Sequence, residues 1–204
     1  MNAHNRTHMP ATSWPGPKDY ISGERNGHPV MFPTNTALDV GAGPGISAGT
    51  GTICENGVRR DGNIITTTIL VDVTGLNSSV AGDTIGKNGA TGCYLGQIDY
   101  NRCGTIFSGG VRCLETPAGG EPDIDLYSYT DGTMAEDDDE VSVLGTALVA
   151  AAVDWTAALA EKHFTGLPAD AEYLYLVGSG GGTNATYTAG KFIITLYGYA
   201  DGDT

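Results

Sequence analysis

Ile64-Ile65-Thr66-Thr67-Thr68-Ile69-Leu70-Val71-Asp72-Val73 is the stretch of this chain whose reading decides the fold. Side chains alternate across a strand, so Ile65, Thr67, Ile69, Val71 and Val73 share one face and Thr66, Thr68 and Asp72 occupy the other. The first face is expected in a core. Working outward, shorter β-prone runs lie between Gly, Asn and Asp clusters at 51–55, 93–98, 105–107, 111–115 and 124–129. Towards the C-terminus, 172–177 and 191–199 read as stronger strands joined by a glycine-rich stretch at 178–184, which predicts a long-looped hairpin. In the second of them Phe192, Ile194 and Leu196 oppose Ile193, Thr195, Tyr197 and Tyr199. Apolar or aromatic cover on both faces suits a central strand or a subunit contact.

One segment departs from the β pattern. Leu144, Leu148, Ala151, Trp155 and Leu159 recur at helical intervals, which predicts a helix over about 143–153, with 156–164 open to a strand reading. The fold expected from these signals is mainly β: an antiparallel β-sandwich or jelly-roll-like domain over 36–204 with one short helix. An extended N-terminal arm over 1–35 precedes it. The arm holds Pro10, Pro15, Pro17, Pro29 and Pro33 among polar residues and shows neither helical nor alternating apolar period. Trp14, Tyr20, Val30, Met31 and Phe32 are its sparse apolar anchors.

The totals narrow the function classes. At 204 residues the chain is long enough to bury a core without staples, and its 31 glycines imply many turns. The formal charge of −14 opposes nucleic-acid binding, which depends on Lys and Arg displacing counterions from phosphates. Residues 1–35 carry three basic and two acidic groups, so the negative charge belongs to the domain. No window approaches the length of a membrane span, and the first residues lack the apolar core of a secretory signal. A soluble protein made in a cytoplasm is therefore expected, with no membrane partner. The sequons at Asn5, Asn77 and Asn184 then read as chance matches. Cys54, Cys93, Cys103 and Cys113 form no Cys-x-x-Cys pair, which favours buried thiols over a zinc site; spacing leaves their disulfide state open.

Asp39-Val40-Gly41-Ala42-Gly43-Pro44-Gly45 resembles the first motif of Rossmann-like S-adenosylmethionine-dependent methyltransferases. That motif needs a strand before the glycines, a helix directly after them and an acidic residue about 20 positions on. Here Ile46-Ser47-Ala48-Gly49-Thr50-Gly51-Thr52 disfavours a helix, and Asp61 sits in a turn-like Arg59-Arg60-Asp61-Gly62-Asn63. The motif is instead expected to act as a flexible joint between arm and domain. Glu136-Asp137-Asp138-Asp139-Glu140 reads as a solvated loop, and Asp123 and Asp125 as the exposed face of a strand whose Ile124 and Leu126 point inward. His163 is the domain's one histidine, with no nucleophile elbow to pair with it. No enzyme activity, catalytic residue, cofactor or metal is expected.

Several strings resemble virion-associated proteins of tailed bacteriophages, particularly marine ones, that look like capsid decoration or cement proteins. They are residues 65–79, the Gly82-Asp83-Thr84-Ile85-Gly86 turn, residues 113–127, Tyr173-Leu174-Tyr175-Leu176-Val177-Gly178 and Thr188-Ala189-Gly190-Lys191-Phe192. The resemblance implies a structural virion protein on the capsid exterior, made in the host cytoplasm, with the major capsid protein and further copies of itself (a dimer or trimer) as partners. Trp14, Tyr20, Met31, Phe32, Tyr197 and Tyr199 are the expected interaction residues. The alternative is a carbohydrate- or host-surface-binding module of jelly-roll type, motivated by Trp155, Tyr187 and Tyr199. A methyltransferase is the remote alternative.

Overall fold

The structure, a computed structural model, describes residues 20–25, 28–33, 41–78, 80–180 and 184–200. It falls into two units, Met1–Asn35 and Thr36–Thr204. In the first unit, β1 (Tyr20–Arg25) and β2 (His28–Pro33) pair antiparallel, from Tyr20 opposite Pro33 to Arg25 opposite His28. This hairpin carries no alternating apolar signal in the sequence and was not anticipated. It places Phe32 opposite Ile21 and Met31 opposite Ser22. Trp14 lies outside the described residues.

The second unit begins with α1 (Pro44–Ser47), followed by the hairpin β3 (Ile53–Asp61) and β4 (Ile64–Asp72). Gly62 and Asn63 make its turn, with Gly62 at φ 62°, a left-handed conformation that glycine adopts without strain. Then come β5 (Asn77–Ser78), β6 (Tyr94–Gln97), α2 (Tyr100–Cys103), β7 (Thr105–Ala118) and β8 (Ile124–Tyr129). The chain continues through α3 (Glu140–Leu144), β9 (Thr146–Val149), β10 (Lys162–His163), β11 (Tyr173–Gly178), β12 (Ala185–Thr186) and β13 (Ala189–Tyr199).

Two antiparallel sheets form the domain, ordered β10-β7-β13-β4-β3 and β6-β11-β8-β9, with β12 and β5 pairing separately. Between them lies one apolar cluster. The five-stranded sheet contributes Ile69, Val71, Phe192, Ile194 and Leu196, and the four-stranded sheet Leu126, Leu148, Leu174 and Leu176. The alternation in β4 is the one its residues predict: Ile65, Thr67, Ile69 and Val71 are buried, while Ile64, Thr66, Thr68 and Leu70 face outward. A mainly β sandwich is thus observed, with three short helices among the described residues where one was expected.

Three local expectations need correction. The strands at 173–178 and 189–199 do not form a hairpin: β11 pairs with β6 and β8, while β13 pairs with β4 and β7 in the other sheet. Their shared apolar pattern reflects two strands filling one core from opposite sides. The predicted helix over 143–153 stops at Leu144. Gly145 caps it by donating to Val141 O at 2.9 Å, and the chain enters β9 at once, so that Leu148, Ala151 and Trp155 are buried from a strand and a loop. Finally, the runs at 105–107 and 111–115 belong to one 14-residue strand, β7. Gly109 and Gly110 between them mark close approach and not a turn: a Cβ on Gly109 would lie 2.4 Å from the Phe164 ring, and one on Gly110 2.6 Å from Glu161 Oε1.

The two sheets differ on their outer faces. Residues 134–141 fold over the outside of the four-stranded sheet, where Met134 and Val141 pack with Tyr175 and Val177 in a second buried cluster ringed by Tyr94, Tyr127, Tyr129 and Tyr173. Among the described residues of 41–200 the outer face of the five-stranded sheet has no comparable buried cluster over it.

Candidate interaction surface

That outer face is built in rows by the strand register. Tyr197 stands beside Thr66 and Ser108, and Tyr199 beside Ile64 and Thr105. Both tyrosines are exposed, at 38% and 45%, on the face of β13 opposite Phe192, Ile194 and Leu196. Asn63 Nδ2 donates to Tyr199 Oη at 3.1 Å, which fixes the ring at the end of the sheet. Arg59, Asp61, Ile64, Thr66 and Tyr197 enclose a shallow open groove of about 430 Å³. At the opposite end Lys191 Nζ donates to Glu115 Oε2 (2.5 Å) and lies 3.3 Å from Asp72 Oδ2. Asp72 also accepts from Thr74, and these bonds hold its carboxyl below the usual range against the opposing effect of burial. The sequence reading marked the two tyrosines but missed Glu55 and Arg112, charged residues that the register places on the same face.

The glycine motif is not free to bend along its whole length. Gly43 N donates to Tyr94 O (2.8 Å) and Gly45 N to Gly92 O (3.1 Å), which ties the segment to the start of β6. A Cβ on Gly43 would sit 2.0 Å from Gly92 O, and one on Gly45 2.4 Å from Cys93 Sγ. The helix that follows has four residues, and the space beside these glycines is filled by the backbone and side chains of residues 91–94. The joint expected here is therefore corrected for Gly43 and Gly45, which are packing residues of the domain. Gly41 alone has open space around its Cα.

The carboxylates are more deeply placed than their sequence context implies. Asp125 is buried, because β8 is covered on both faces, and it accepts from Ala151 N at 2.6 Å. The expected exposed Asp123/Asp125 face is thus corrected: Asp123 is half-buried, and its Oδ1 is out of solvent without a hydrogen-bond partner. Burial raises the pKa of both, and for Asp123 the charges of Asp125, Asp154 and Glu121 add to the rise. In the acidic run, Asp137, Asp139 and Glu140 are exposed as expected, but Glu136 is buried and accepts from Asn77 Nδ2 at 2.8 Å. Asp138 accepts from Ala135 N at 2.7 Å, and its carbonyl oxygen takes the Thr84 amide at 2.9 Å. The run straps a loop to the sandwich.

All four cysteines are free thiols, three buried and Cys54 half-buried. Burial pushes Cys54 and Cys93 up to about 12 and Cys103 to about 11, which leaves them protonated and unreactive at neutral pH. Of the aromatics that motivate a carbohydrate site, Trp155 and Tyr187 are core residues. Trp155 Nε1 donates to Ile124 O at 2.6 Å and its ring meets Phe192 edge-on, while Tyr187 Oη donates to Glu121 O at 2.7 Å. Among the described residues no group of three or more His, Cys, Asp or Glu is placed to hold a metal, and no helix is long and apolar enough to cross a membrane. No protein-family model, curated protein or solved structure matches this chain.

Proposed function

We propose that the chain is a structural virion protein of the capsid decoration or cement type, attached to the outside of a tailed phage head through contacts with the major capsid protein. The observation that supports this reading is the use the domain makes of its buried polar side chains. Asp125 takes the Ala151 amide (2.6 Å), Glu136 accepts from Asn77 Nδ2 (2.8 Å), buried Ser128 Oγ donates to Glu172 Oε2 (2.7 Å), and Tyr175 Oη donates to Asp131 O at 2.5 Å. Polar groups spent this way rigidify a scaffold, because breaking any one strands a desolvated partner. A rigid body that resists shear is what a clamp on a shell requires.

The strings that resemble decoration proteins fall on this scaffold. Residues 65–72 lie in β4, 173–178 are β11, and 189–192 open β13. The strong negative charge suits an exterior position, since the inside of the shell faces packed anionic DNA. In particles of the encoding phage, peptides of this chain should appear in fixed ratio to the major capsid protein. Particles lacking it should release their DNA at a lower temperature. Absence from the particles, or an unchanged release temperature, would refute the proposal.

A further inference from the structure

We infer that the outer face of the five-stranded sheet is a self-association surface, and that its occupant is a second copy of this chain related by a two-fold axis along the strands between β4 and β13. The first reason is charge. By register the outer face of this sheet carries three basic residues, Arg59, Arg112 and Lys191, and four acidic ones, Glu55, Asp61, Asp72 and Glu115, out of seven and nineteen in residues 41–200. The rest of the domain is therefore strongly acidic, and two copies approaching by any other side meet like charge. This sheet is the side on which repulsion is least. Six of the eleven exposed large hydrophobics also lie on its strands.

The second reason is register. A two-fold axis in the interface plane, parallel to the strands, sets each residue of one sheet opposite the ladder neighbour of the same row in the other. With the axis between β4 and β13, β4 faces the partner's β13 and β3 faces the partner's β7. The row Glu55–Leu70–Ile193–Arg112 then meets itself reversed: Leu70 lies over Ile193 and Glu55 over Arg112. Thr68 lies over Thr195 in the next row. Glu55 and Arg112 are both exposed and, among the described residues, neither has an ion-pair partner within its own chain. The axis gives both of them one.

Size is sufficient. Four strands about 4.8 Å apart and about 30 Å long present roughly 550 Å² per copy, so a pair covers about 1,100 Å², just above the lower bound for a specific interface. This inference stands apart from the proposed virion role, since it concerns the free protein and needs no shell.

The test is sedimentation equilibrium of the full chain across a wide concentration range. The wild type should dimerise reversibly. Glu55→Arg and Arg112→Glu should each weaken the dimer at least about tenfold, because the two-fold doubles every like-charge contact. The double variant should recover to within about threefold of the wild type. Within one chain these residues are three strands apart, about 14 Å, beyond effective screening range, so recovery has to come from the partner. Thr68→Lys, an outward substitution at the centre of the face, supplies a second route should either charge variant misfold, and it should leave a folded monomer. A monomeric wild type at all concentrations overturns the inference, whatever else the face binds. A double variant as weak as the singles overturns the two-fold arrangement.

Discussion

Replacing Gly43 with alanine tests whether the glycine motif is a packing element or a joint. Gly43 has φ −66°, an ordinary conformation for alanine, so the backbone angle contributes no strain. The cost is contact. The added Cβ would lie 2.0 Å from Gly92 O and 2.9 Å from Tyr94 Cε1, where Cβ contacts under 3.0 Å essentially never occur. Gly92 O is main chain and cannot rotate away, so the two segments have to part by about 1 Å in a tightly packed region. Parting weakens the Gly43–Tyr94 and Gly45–Gly92 hydrogen bonds, about 1 kcal/mol each, and overpacking adds about 1–3 kcal/mol. The sum, roughly 3–5 kcal/mol, lowers the melting temperature of a domain this size by roughly 6–20 °C. Gly41→Ala, with no atom within 4 Å of the new Cβ, should leave melting unchanged or raise it slightly by restricting the unfolded chain. Thermal melts followed by circular dichroism measure both. Should Gly43→Ala melt within about 2 °C of the wild type, the packing argument fails and the joint is restored.

Two further substitutions probe buried polar atoms. Thr67 is fully buried on β4 and its Oγ1 lacks a partner, so Thr67→Val should stabilise by about 1 kcal/mol and raise the melting temperature by about 2–4 °C; a loss of stability would mean that the hydroxyl is bonded in solution. Asp123 has its pKa raised in the folded state, so its proton is held more tightly there and its destabilising effect is fully present above the folded pKa, fading as pH falls through it. Asp123→Asn should therefore melt higher than the wild type at neutral pH, and the gap should narrow towards about pH 4; a gap constant with pH would refute the assignment.

Much of the fold was legible because the strongest signal was local. The alternation in Ile64–Asp72 depends only on one face being buried, and β4, with a neighbour on each side, buries its inner face almost completely. What could not be read was which strand pairs with which. Tyr173–Gly178 and Ala189–Tyr199 carry the same apolar signature whether they lie side by side or face each other across a core, and only the sheet order separates the two. The misplaced helix has a different cause. Leu144, Leu148, Ala151 and Trp155 share a helical interval by coincidence, while Gly145 ends the real helix inside that interval.

The surface was harder to read than the core, for the same physical reason. Burial leaves a period in the sequence, whereas an outward face is marked only by which charges the register brings together. Tyr197 and Tyr199 stood out because aromatics on the open side of a strand are unusual. Glu55 and Arg112 are 57 positions apart in sequence and ordinary in composition, so nothing local distinguishes them from any exposed pair. They acquire meaning through two intervening strands, since Leu70 and Ile193 set them in one row. The same geometry makes the pair a discriminating probe. Reversing both charges leaves net charge, composition and every short-range contact within the chain almost unchanged, and alters only what a partner placed face to face would meet. A surface bound by an unrelated protein would respond to each reversal separately and would not recover when both are made. Only a face that sets Glu55 against Arg112 of another copy of this chain restores its own complement.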